Sequence, residues 1–296
     1  MKKRALGNSS IEITELSLGC MSLPTNIIDA KPIIHSAIDY GINYFDTADL
    51  YDKGINEEIV GELLKPHRNE LILATKVGNR WNDGENGWRW DPSPSHIENG
   101  LKSSLRRLKT DYIDVYQLHG GTIDDPWDDI IETFERLKEQ GLIREYGISS
   151  IRPNVFTSFL KNSNAISNMM QYNLLDRRAE EWFEQIASSG TSVVTRGSIA
   201  KGILTNEWKN RLQSYMSYSS DELQQVLQSL ESHYEDIHAL ALAFNLNHPV
   251  VASTVIGARS KEQLNQNVMA YEKAQAITDL SYVDQITKKD VYTEHR

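Results

Sequence analysis

The sequence predicts an α/β fold in which residues 1–296 form a single (β/α)8 barrel of the TIM type. Two observations support this prediction. Eight β-like runs alternate with helical patterns along the chain, and strictly alternating strands and helices indicate a parallel sheet. Eight such units in 296 residues fit a closed barrel better than an open doubly wound sheet. We identify no linker that would divide the chain into two domains.

The strands are predicted from short runs rich in β-branched and aromatic residues. Ahead of them, LGNSS separates the runs RAL and IEIT, which predicts an N-terminal β-hairpin. The barrel strands are then predicted at residues 15–19, 43–47, 71–77, 111–119, 145–150, 168–173, 191–197 and 252–258.

The helices are predicted from apolar residues that recur at helical spacing. These patterns lie at residues 31–41, 56–65, 94–109, 127–141, 154–162, 179–190, 221 to about 246, and 260–270. Ser93 and Pro94 mark the start of the third helix, because serine caps helices and proline suits their first turn. Gly41, Gly141 and Gly190 each follow a helical run, where a left-handed cap is expected.

Two connections are longer than the others, one after the third strand and one from about residue 198 to 220 after the seventh. Long loops in a compact domain are usually functional. In a (β/α)8 barrel the carboxyl ends of all the strands lie on one face, and that face carries the active site. We therefore expect these two loops to decide substrate specificity.

The net charge and the absence of long apolar runs limit the partners of this protein. Its 41 Asp and Glu residues exceed its 31 Lys and Arg residues, for a net charge of −10, whereas nucleic-acid binding needs a basic face. No run of apolar residues resembles a signal peptide or reaches the length of a transmembrane helix. We predict a cytoplasmic protein that binds neither nucleic acid nor membranes. With no coiled coil in the sequence, a monomer is the default.

The sequence gives little support to metal or phosphate-loop chemistry. The single cysteine, Cys20, cannot form an internal disulfide and is interpreted as a buried small hydrophobe. The eight histidines are scattered, and the zinc motif HExxH is absent. The motifs GxGxxG and GxxxxGK[ST] are absent as well, which removes the main support for a Rossmann or P-loop domain.

Four ionisable side chains are predicted to meet on the functional face of the barrel. Asp46 ends the second strand and Tyr51 lies in the loop after it, Lys76 lies near the end of the third strand, and His119 ends the fourth. Each residue taken singly also has a structural interpretation: a turn aspartate, a tyrosine packed at the rim, a lysine that reaches solvent, or a hydrogen-bonded histidine. Their convergence on one rim favours a functional site.

Together the four side chains suit the protonation of a carbonyl oxygen. The Lys76 ammonium favours the phenolate of Tyr51 and is expected to lower the pKa of that phenol from its usual value of about 10. A buried lysine needs a carboxylate partner to keep its charge, and Asp46 is the candidate. His119 can donate a hydrogen bond to a substrate oxygen and orient it. A Schiff base on Lys76 is a competing chemistry, but it needs an unpaired lysine.

These residues, in this order on these strands, resemble the signature of the aldo-keto reductases. The resemblance is carried by Asp46 and Tyr51 in NYFDTADLYDKGINEEIVG, Lys76 in ILATKVG and His119 in DYIDVYQLHGG. It runs from RALGNSS to ARSKEQLNQN, and the segments GCMSL, ATKVGNRW and GISSIRPN resemble a branch of uncharacterised bacterial oxidoreductases. It implies NAD(P)H-dependent reduction of an aldehyde or ketone to an alcohol by hydride transfer, without a metal, with Tyr51 as general acid.

The resemblance also implies where the cofactor binds. Ser149 and Gln171 are expected to hold the nicotinamide, and the segment TRGSIAKG is expected to lie over the pyrophosphate. Arg259 at a helix start is expected to bind the adenosine 2′-phosphate, which favours NADPH over NADH; the alternative is a surface arginine in solvent. The expected cofactor-binding residues are Gly19, Met21, Asp46, Ser149, Gln171, Arg196, Gly197, Ser198, Gly202, Gly257, Arg259, Gln263 and Asn267.

The substrate pocket is predicted from three tryptophans, and one alternative function remains to be weighed. Trp81, Trp88 and Trp90 in the loop after the third strand predict a pocket for aromatic or medium-sized carbonyls, or they pack the loop against the barrel. The alternative function is a cofactor-sensing binding module with little turnover, as in relatives that serve as subunits of ion channels. The complete set of four ionisable side chains favours catalysis.

Overall fold

The strands of the barrel and its N-terminal hairpin are seen in a computed structural model that describes residues 1–81 and 87–296. Strands β1 (Lys3–Ala5) and β2 (Glu12–Thr14) pair antiparallel and form the predicted hairpin. The strands that follow are β3 (Leu16–Gly19), β4 (Tyr44–Asp46), β5 (Ile72–Val77), β6 (Asn79–Arg80), β7 (Arg89–Trp90), β8 (Ile113–Leu118), β9 (Ile143–Ser149), β10 (Ser167–Gln171), β11 (Ser192–Arg196) and β12 (Val251–Gly257).

Eight of these strands close into a parallel barrel in the order β3, β4, β5, β8, β9, β10, β11 and β12. The barrel closes where β12 pairs with β3, with Thr254 opposite Leu16 and Gly257 opposite Gly19. The predicted (β/α)8 barrel is thereby confirmed, and each predicted strand agrees with the observed one to within about two residues.

The helices alternate with the barrel strands as the sequence predicts. They are α1 (Ile27–Asp39), α2 (Ile55–Leu64), α3 (Pro94–Leu108), α4 (Trp127–Glu139), α5 (Pro153–Asn162), α6 (Phe183–Ser188), α7 (Ser220–Tyr234), α8 (Ile237–Asn247), α9 (Lys261–Ala274) and α10 (Ser281–Ile286). None of the helices in the described part of the chain combines the length and apolar character needed to cross a membrane.

The predicted helix ends are confirmed by local geometry. Ser93 caps α3, where its side chain accepts a hydrogen bond from the backbone N–H of His96. The three glycines predicted as left-handed caps, Gly41, Gly141 and Gly190, have φ values of +78°, +73° and +76°. A residue with a Cβ is strained in this conformation, so glycine ends the helix at low cost.

The predicted long helix between residues 221 and 246 is wrong, because two helices, α7 and α8, occupy this segment. Glu235 between them has φ +63°, which no α-helix contains. Asp236 then caps α8, and its side chain accepts from the N–H of Ala239. An aspartate directly before an apolar run is a helix-start signal, and it marks the break in the sequence itself.

The hairpin covers the amino-terminal end of the barrel. Its buried residues Leu6, Ile11 and Ile13 belong to a hydrophobic cluster with inward-facing barrel residues such as Tyr44 and Val115. Burying apolar side chains stabilises the fold by about 25 cal/mol per Å². Since one end of the barrel is closed in this way, the other end is the one that can receive a ligand.

Candidate active site

The four ionisable residues singled out in the sequence lie together at the carboxyl-terminal end of the barrel. Asp46 is the last residue of β4, Lys76 lies near the end of β5, and His119 directly follows β8. Tyr51 comes from the loop between β4 and α2. Three neighbouring parallel strands and one loop therefore bring these side chains to one place.

Lys76 is a fully buried lysine that is held by oxygen atoms. Its Nζ donates to Oδ2 of Asp46 at 2.6 Å and to the backbone oxygen of Thr47 at 2.7 Å. Burial by itself lowers the pKa of a lysine, but here the charge of Asp46, together with Tyr51, outweighs it, and the pKa of Lys76 is raised. Lys76 therefore keeps its proton inside the barrel.

Tyr51 is turned back over the barrel by a tight loop. Its hydroxyl lies 3.5 Å from Nζ of Lys76, and that Nζ lies 5.2 Å from the centre of the phenol ring. The turn uses left-handed backbone at Asp52 and Lys53 (φ +49° and +53°) and at Gly54 (φ +90°). Such conformations are costly for residues with a Cβ and tend to occur at functional loops. This turn is what brings Tyr51, five positions after Asp46, back towards Lys76.

The expected direction of the Tyr51 pKa is wrong. Burial raises the pKa of Tyr51, and the lowering effect of Lys76 does not offset it. Desolvation opposes formation of the phenolate in a low-dielectric site, whatever cation lies beside it. Tyr51 is thus a neutral phenol at neutral pH and still has a proton to donate.

His119 stands beside Tyr51 as a neutral imidazole. The two ring centres lie 6.0 Å apart with an interplanar angle of 85°. Burial, then the positive charges of Lys76 and Arg196, lowers the pKa of His119 to about 3. Its Nδ1 is buried and has no hydrogen-bond partner in the described part of the chain. Lys76 is therefore the positively charged group next to Tyr51, and His119 is free to orient a polar ligand.

The next three strands place further predicted residues on the same rim. Ser149 ends β9, Gln171 ends β10 and Arg196 ends β11. A guanidinium nitrogen of Arg196 donates to Oε1 of Gln171 at 3.2 Å. Ser150, which follows Ser149, is buried, and its N–H donates to Oδ1 of Asn168 at 3.4 Å. An asparagine from the neighbouring strand thus lies against that position.

The loop after β11 is shaped by glycine and by left-handed backbone. Gly197 and Gly202 have φ values of +67° and +91°. The side chain of Ser198 is buried and contacts the hydroxyls of Thr195 and Thr254 inside the barrel. The side chain of Ser198 is therefore engaged inside the barrel and does not face the rim.

The end of β12 leads into an exposed helix start. Ser260 caps α9, and Oε1 of Gln263 accepts from the backbone N–H of Arg259. The Arg259 side chain is exposed, whereas Asn267 is buried and donates to the oxygen of Gly257 at 3.5 Å. A helix start beside a guanidinium attracts anions. These residues fit the phosphate of a dinucleotide.

The turn after β3 completes this side of the rim. A Cβ placed on Gly257 would lie 2.3 Å from Oγ of Ser22, so β12 and this turn approach each other closely. Gly19 ends β3, and Met21 in the turn is 63% exposed. The exposed thioether gives this edge of the rim an apolar surface.

The three tryptophans of the loop after β5 have different surroundings. Trp90 donates from its indole nitrogen to Asp125 at 2.9 Å, and its ring lies where a Cβ on Gly78 would be. Trp88 is 59% exposed, and Trp81 is partly exposed. Trp90 thus anchors the loop, whereas Trp88 presents its ring to solvent. Asp83 and Glu85 of the same loop lie outside the described residues.

A group of polar residues that the sequence did not single out surrounds Gln171. Nε2 of Gln171 donates to Oδ2 of Asp176 at 2.7 Å, and it lies 3.4 Å from the hydroxyl of Tyr215. Arg178 forms an ion pair with Asp176, and its guanidinium lies 4.8 Å from the ring centre of Tyr292. The signal in the sequence is the charged run DRR at residues 176–178, shortly after a strand. Charged runs of this kind usually lie in solvent, so the run by itself does not indicate a buried group.

Comparisons with known proteins agree with this geometry. A sequence profile described as "Aldo/keto reductase family" matches residues 15–288. The solved holo form of aldo-keto reductase AKR11C1 from Bacillus halodurans is 50% identical and superposes with a TM-score of 0.95, over 100% of this chain and 99% of that chain. The "Uncharacterized oxidoreductase YqkF" of Bacillus subtilis is 49% identical over the full length of both chains. L-galactose dehydrogenase of Arabidopsis thaliana is 27% identical over 93% of this chain and 89% of the plant protein.

Proposed function

This chain belongs to the aldo/keto reductase family and is an NAD(P)H-dependent oxidoreductase, and from this premise we propose that it reduces an aldehyde or ketone to an alcohol, with NADPH as the preferred cofactor and Tyr51 as the general acid. The observation that carries the proposal is the contact of the Tyr51 hydroxyl with the buried ion pair of Lys76 and Asp46. A neutral phenol beside a fixed cation is an arrangement for donating a proton to an oxygen that becomes negative.

Lys76 and Asp46 have separate tasks in this proposal. When bound, the nicotinamide supplies a hydride to the carbonyl carbon. As charge develops on the carbonyl oxygen, Tyr51 gives it the phenolic proton, and the Lys76 ammonium at 3.5 Å stabilises the phenolate left behind. Asp46 keeps that ammonium charged and, with the oxygen of Thr47, fixes its position. Electrostatic stabilisation of this kind is strongest when the charges are in place before the reaction.

His119 acts as an orienting group rather than as the acid. With a pKa of about 3, its imidazole is neutral at physiological pH and carries a single ring N–H. A neutral imidazole can donate that N–H to the carbonyl oxygen and align it with Tyr51 without adding a second charge. This division of work supports Tyr51 as the source of the proton.

Residues on the strand ends β9 to β12 would hold the dinucleotide. Ser149 and Gln171 lie at the rim beside the four ionisable residues, and the loop from Gly197 to Gly202 follows them. Arg259, just before the start of α9, would provide a cation for the 2′-phosphate, which NADH lacks, and the positive end of the helix would add to its effect. The preference for NADPH follows from that contact.

The alternative, a cofactor-sensing module with little turnover, is not favoured. A binding module needs no proton donor, whereas here a phenol, an ammonium and a carboxylate are hydrogen-bonded in series inside the barrel. Trp88 and Trp81, with the exposed Met21, supply apolar surface for a medium-sized or aromatic carbonyl. The cytoplasmic location, the monomeric state and the single domain over residues 1–296 stay predictions.

The experiment is a rate measurement with purified protein and a reactive aromatic aldehyde. We expect oxidation of NADPH that exceeds oxidation of NADH at equal concentrations. Cofactor binding is measured in parallel by calorimetry. Tight NADPH binding with no reduction of any aldehyde or ketone in a broad panel would overturn the proposal and would support the binding module instead.

A further inference from the structure

The side-chain amide of Gln171 lies between two groups with opposite hydrogen-bonding capacity. Its Nε2 lies 2.7 Å from a carboxylate oxygen of Asp176, and its Oε1 lies 3.2 Å from a guanidinium nitrogen of Arg196. An ionised carboxylate only accepts hydrogen bonds, and a guanidinium only donates them. Both neighbours therefore require the same orientation of the amide, with Nε2 towards Asp176 and Oε1 towards the rim.

Asp176 is rigidly held in a position to enforce this orientation. It is 1% exposed, and Arg178 donates to both of its carboxylate oxygens, at 2.7 and 2.9 Å. Its backbone exchanges two hydrogen bonds with Asn173 in a tight turn after β10. A bidentate arginine–carboxylate pair is among the strongest and most directional hydrogen-bonded contacts in proteins. The carboxylate therefore has little freedom to turn away from Gln171.

Arg196 and Asp176 do not hold Gln171 equally. Arg196 lies at the exposed rim, whereas Asp176 is buried behind Gln171. A ligand that donates to Oε1 at the rim competes there with the exposed Arg196, whereas Asp176 holds Nε2 on the other, buried side of the amide. Asp176 is thus the partner that persists when a ligand arrives at the rim.

We infer that Asp176 is a positioning residue for the cofactor: it directs Oε1 of Gln171 towards the rim as a hydrogen-bond acceptor for the N–H₂ of the nicotinamide carboxamide. The inference rests on the proposed function and adds to it the residue that selects one end of the amide. Without an acceptor-only neighbour, the Gln171 amide can rotate by half a turn. The N–H₂ group of Gln171 then faces the N–H₂ group of the nicotinamide carboxamide. Two donors cannot form a hydrogen bond with each other, so this contact with the cofactor is lost.

The test compares two dinucleotides that differ only at this group. NADP⁺ has the carboxamide, and its 3-acetylpyridine analogue has a methyl ketone with no N–H to donate. In the wild type we expect calorimetry to show about tenfold tighter binding of NADP⁺ than of the analogue, the factor that one hydrogen bond of ordinary strength provides. In Asp176→Asn, whose amide can accept or donate, we expect that ratio to fall to about threefold or less.

Two variants separate positioning from a general structural effect. Arg178→Met removes the ion pair but leaves the Asp176 carboxylate, whose backbone stays hydrogen-bonded to Asn173, so the ratio should stay closer to the wild-type value than in Asp176→Asn. The double variant Asp176→Asn, Arg178→Met contains no unpaired buried charge; it should lose discrimination like Asp176→Asn and replaces that variant if the single substitution prevents folding. Gln171→Ala gives the ratio expected without any acceptor.

The outcomes distinguish this inference from the function on which it rests. An Asp176→Asn or double variant that keeps the wild-type ratio, while Gln171→Ala loses it, overturns the role of Asp176 alone. A wild-type ratio no larger than that of Gln171→Ala also overturns it. A wild type that binds neither NADP⁺ nor NADPH overturns the proposed function, and the inference with it.

Discussion

The hydroxyl of Tyr51 lies 3.5 Å from Nζ of Lys76, 25 positions further along the chain. The same Nζ is 2.6 Å from Oδ2 of Asp46. These three groups form a chain from a buried carboxylate to a phenol at the mouth of the barrel. Their order explains how a phenol with a raised pKa can still act as an acid, because the cation that stabilises the phenolate is already in place.

Tyr51→Phe should abolish turnover and leave cofactor binding intact. The substitution removes the hydroxyl that contacts Lys76 and changes little else in the packing. We expect kcat to fall by about 10²–10⁴-fold, which is the usual contribution of a positioned general acid. The rate is measured by NADPH oxidation with an aromatic aldehyde, and binding by calorimetry. A variant with more than a tenth of the wild-type kcat would contradict the role of Tyr51.

Lys76→Met should destabilise the fold as well as remove activity. It leaves the Asp46 carboxylate buried without its cation, which typically costs about 3–5 kcal/mol. The matched control is Lys76→Met combined with Asp46→Asn, in which no buried charge remains. We expect this double variant to regain most of the free energy of unfolding, as measured by urea denaturation, and to stay inactive. If the single and double variants have equal free energies of unfolding, the unpaired Asp46 carboxylate is not the cause of the lost stability.

His119 should make stability depend on pH in a known direction. Its pKa falls from about 6.5 in the unfolded chain to about 3 in the fold, chiefly through burial. The unfolded chain therefore binds more protons between these values, so the contribution of His119 is complete above about pH 6.5 and is lost as the pH falls towards 3. His119→Asn should lose less stability than the wild type between pH 7.5 and pH 5.

Urea midpoints at the two pH values measure this difference. His238, whose pKa is lowered to about 4 by burial, contributes the same slope to both proteins and cancels in the comparison. If the wild type and His119→Asn show parallel changes of midpoint with pH, His119 is not a buried neutral imidazole.

Arg259→Ala should weaken the binding of NADPH more than that of NADH. A hydrogen-bonded contact with a charged group contributes about 1.5–3 kcal/mol, so we expect the Kd for NADPH to rise roughly 10–100-fold. The Kd for NADH should change less than threefold or so. Lys102→Ala is the control, because Lys102 is an exposed cation on α3. Equal losses for the two cofactors would show that Arg259 does not contact the 2′-phosphate.

Trp88 and Trp90 should behave differently when each is replaced by alanine. Trp90 packs over Gly78 and donates to Asp125, so its loss should lower the free energy of unfolding by about 2–4 kcal/mol. Trp88 is exposed, and its loss should leave stability unchanged and raise KM for an aromatic aldehyde. Thermal unfolding of both variants tests the predicted difference in stability, and steady-state rates with the aromatic aldehyde test the predicted change in KM. An unchanged KM in Trp88→Ala would exclude it from the substrate pocket.

Much of the fold could be predicted because its signals are local. Alternation of strands and helices, the Ser93 cap and the glycine caps depend on neighbouring residues alone. The sequence pattern does not predict the break between α7 and α8, although Asp236 signals it, because the apolar spacing continues across Glu235. The convergence of Asp46, Tyr51, Lys76 and His119 also followed from the sequence, since the strand ends of a parallel barrel share one face.

The tertiary structure decided two things that no local pattern contains. The direction of the Tyr51 pKa depends on how completely the surrounding chain excludes water, and burial outweighs Lys76. The partners of Gln171 depend on where the loops after β10 and β11 lie against each other, and these bring Asp176 to one end of its amide and Arg196 to the other. The amino-acid sequence determined which groups reach the barrel mouth; burial and loop packing determined their protonation and their orientation.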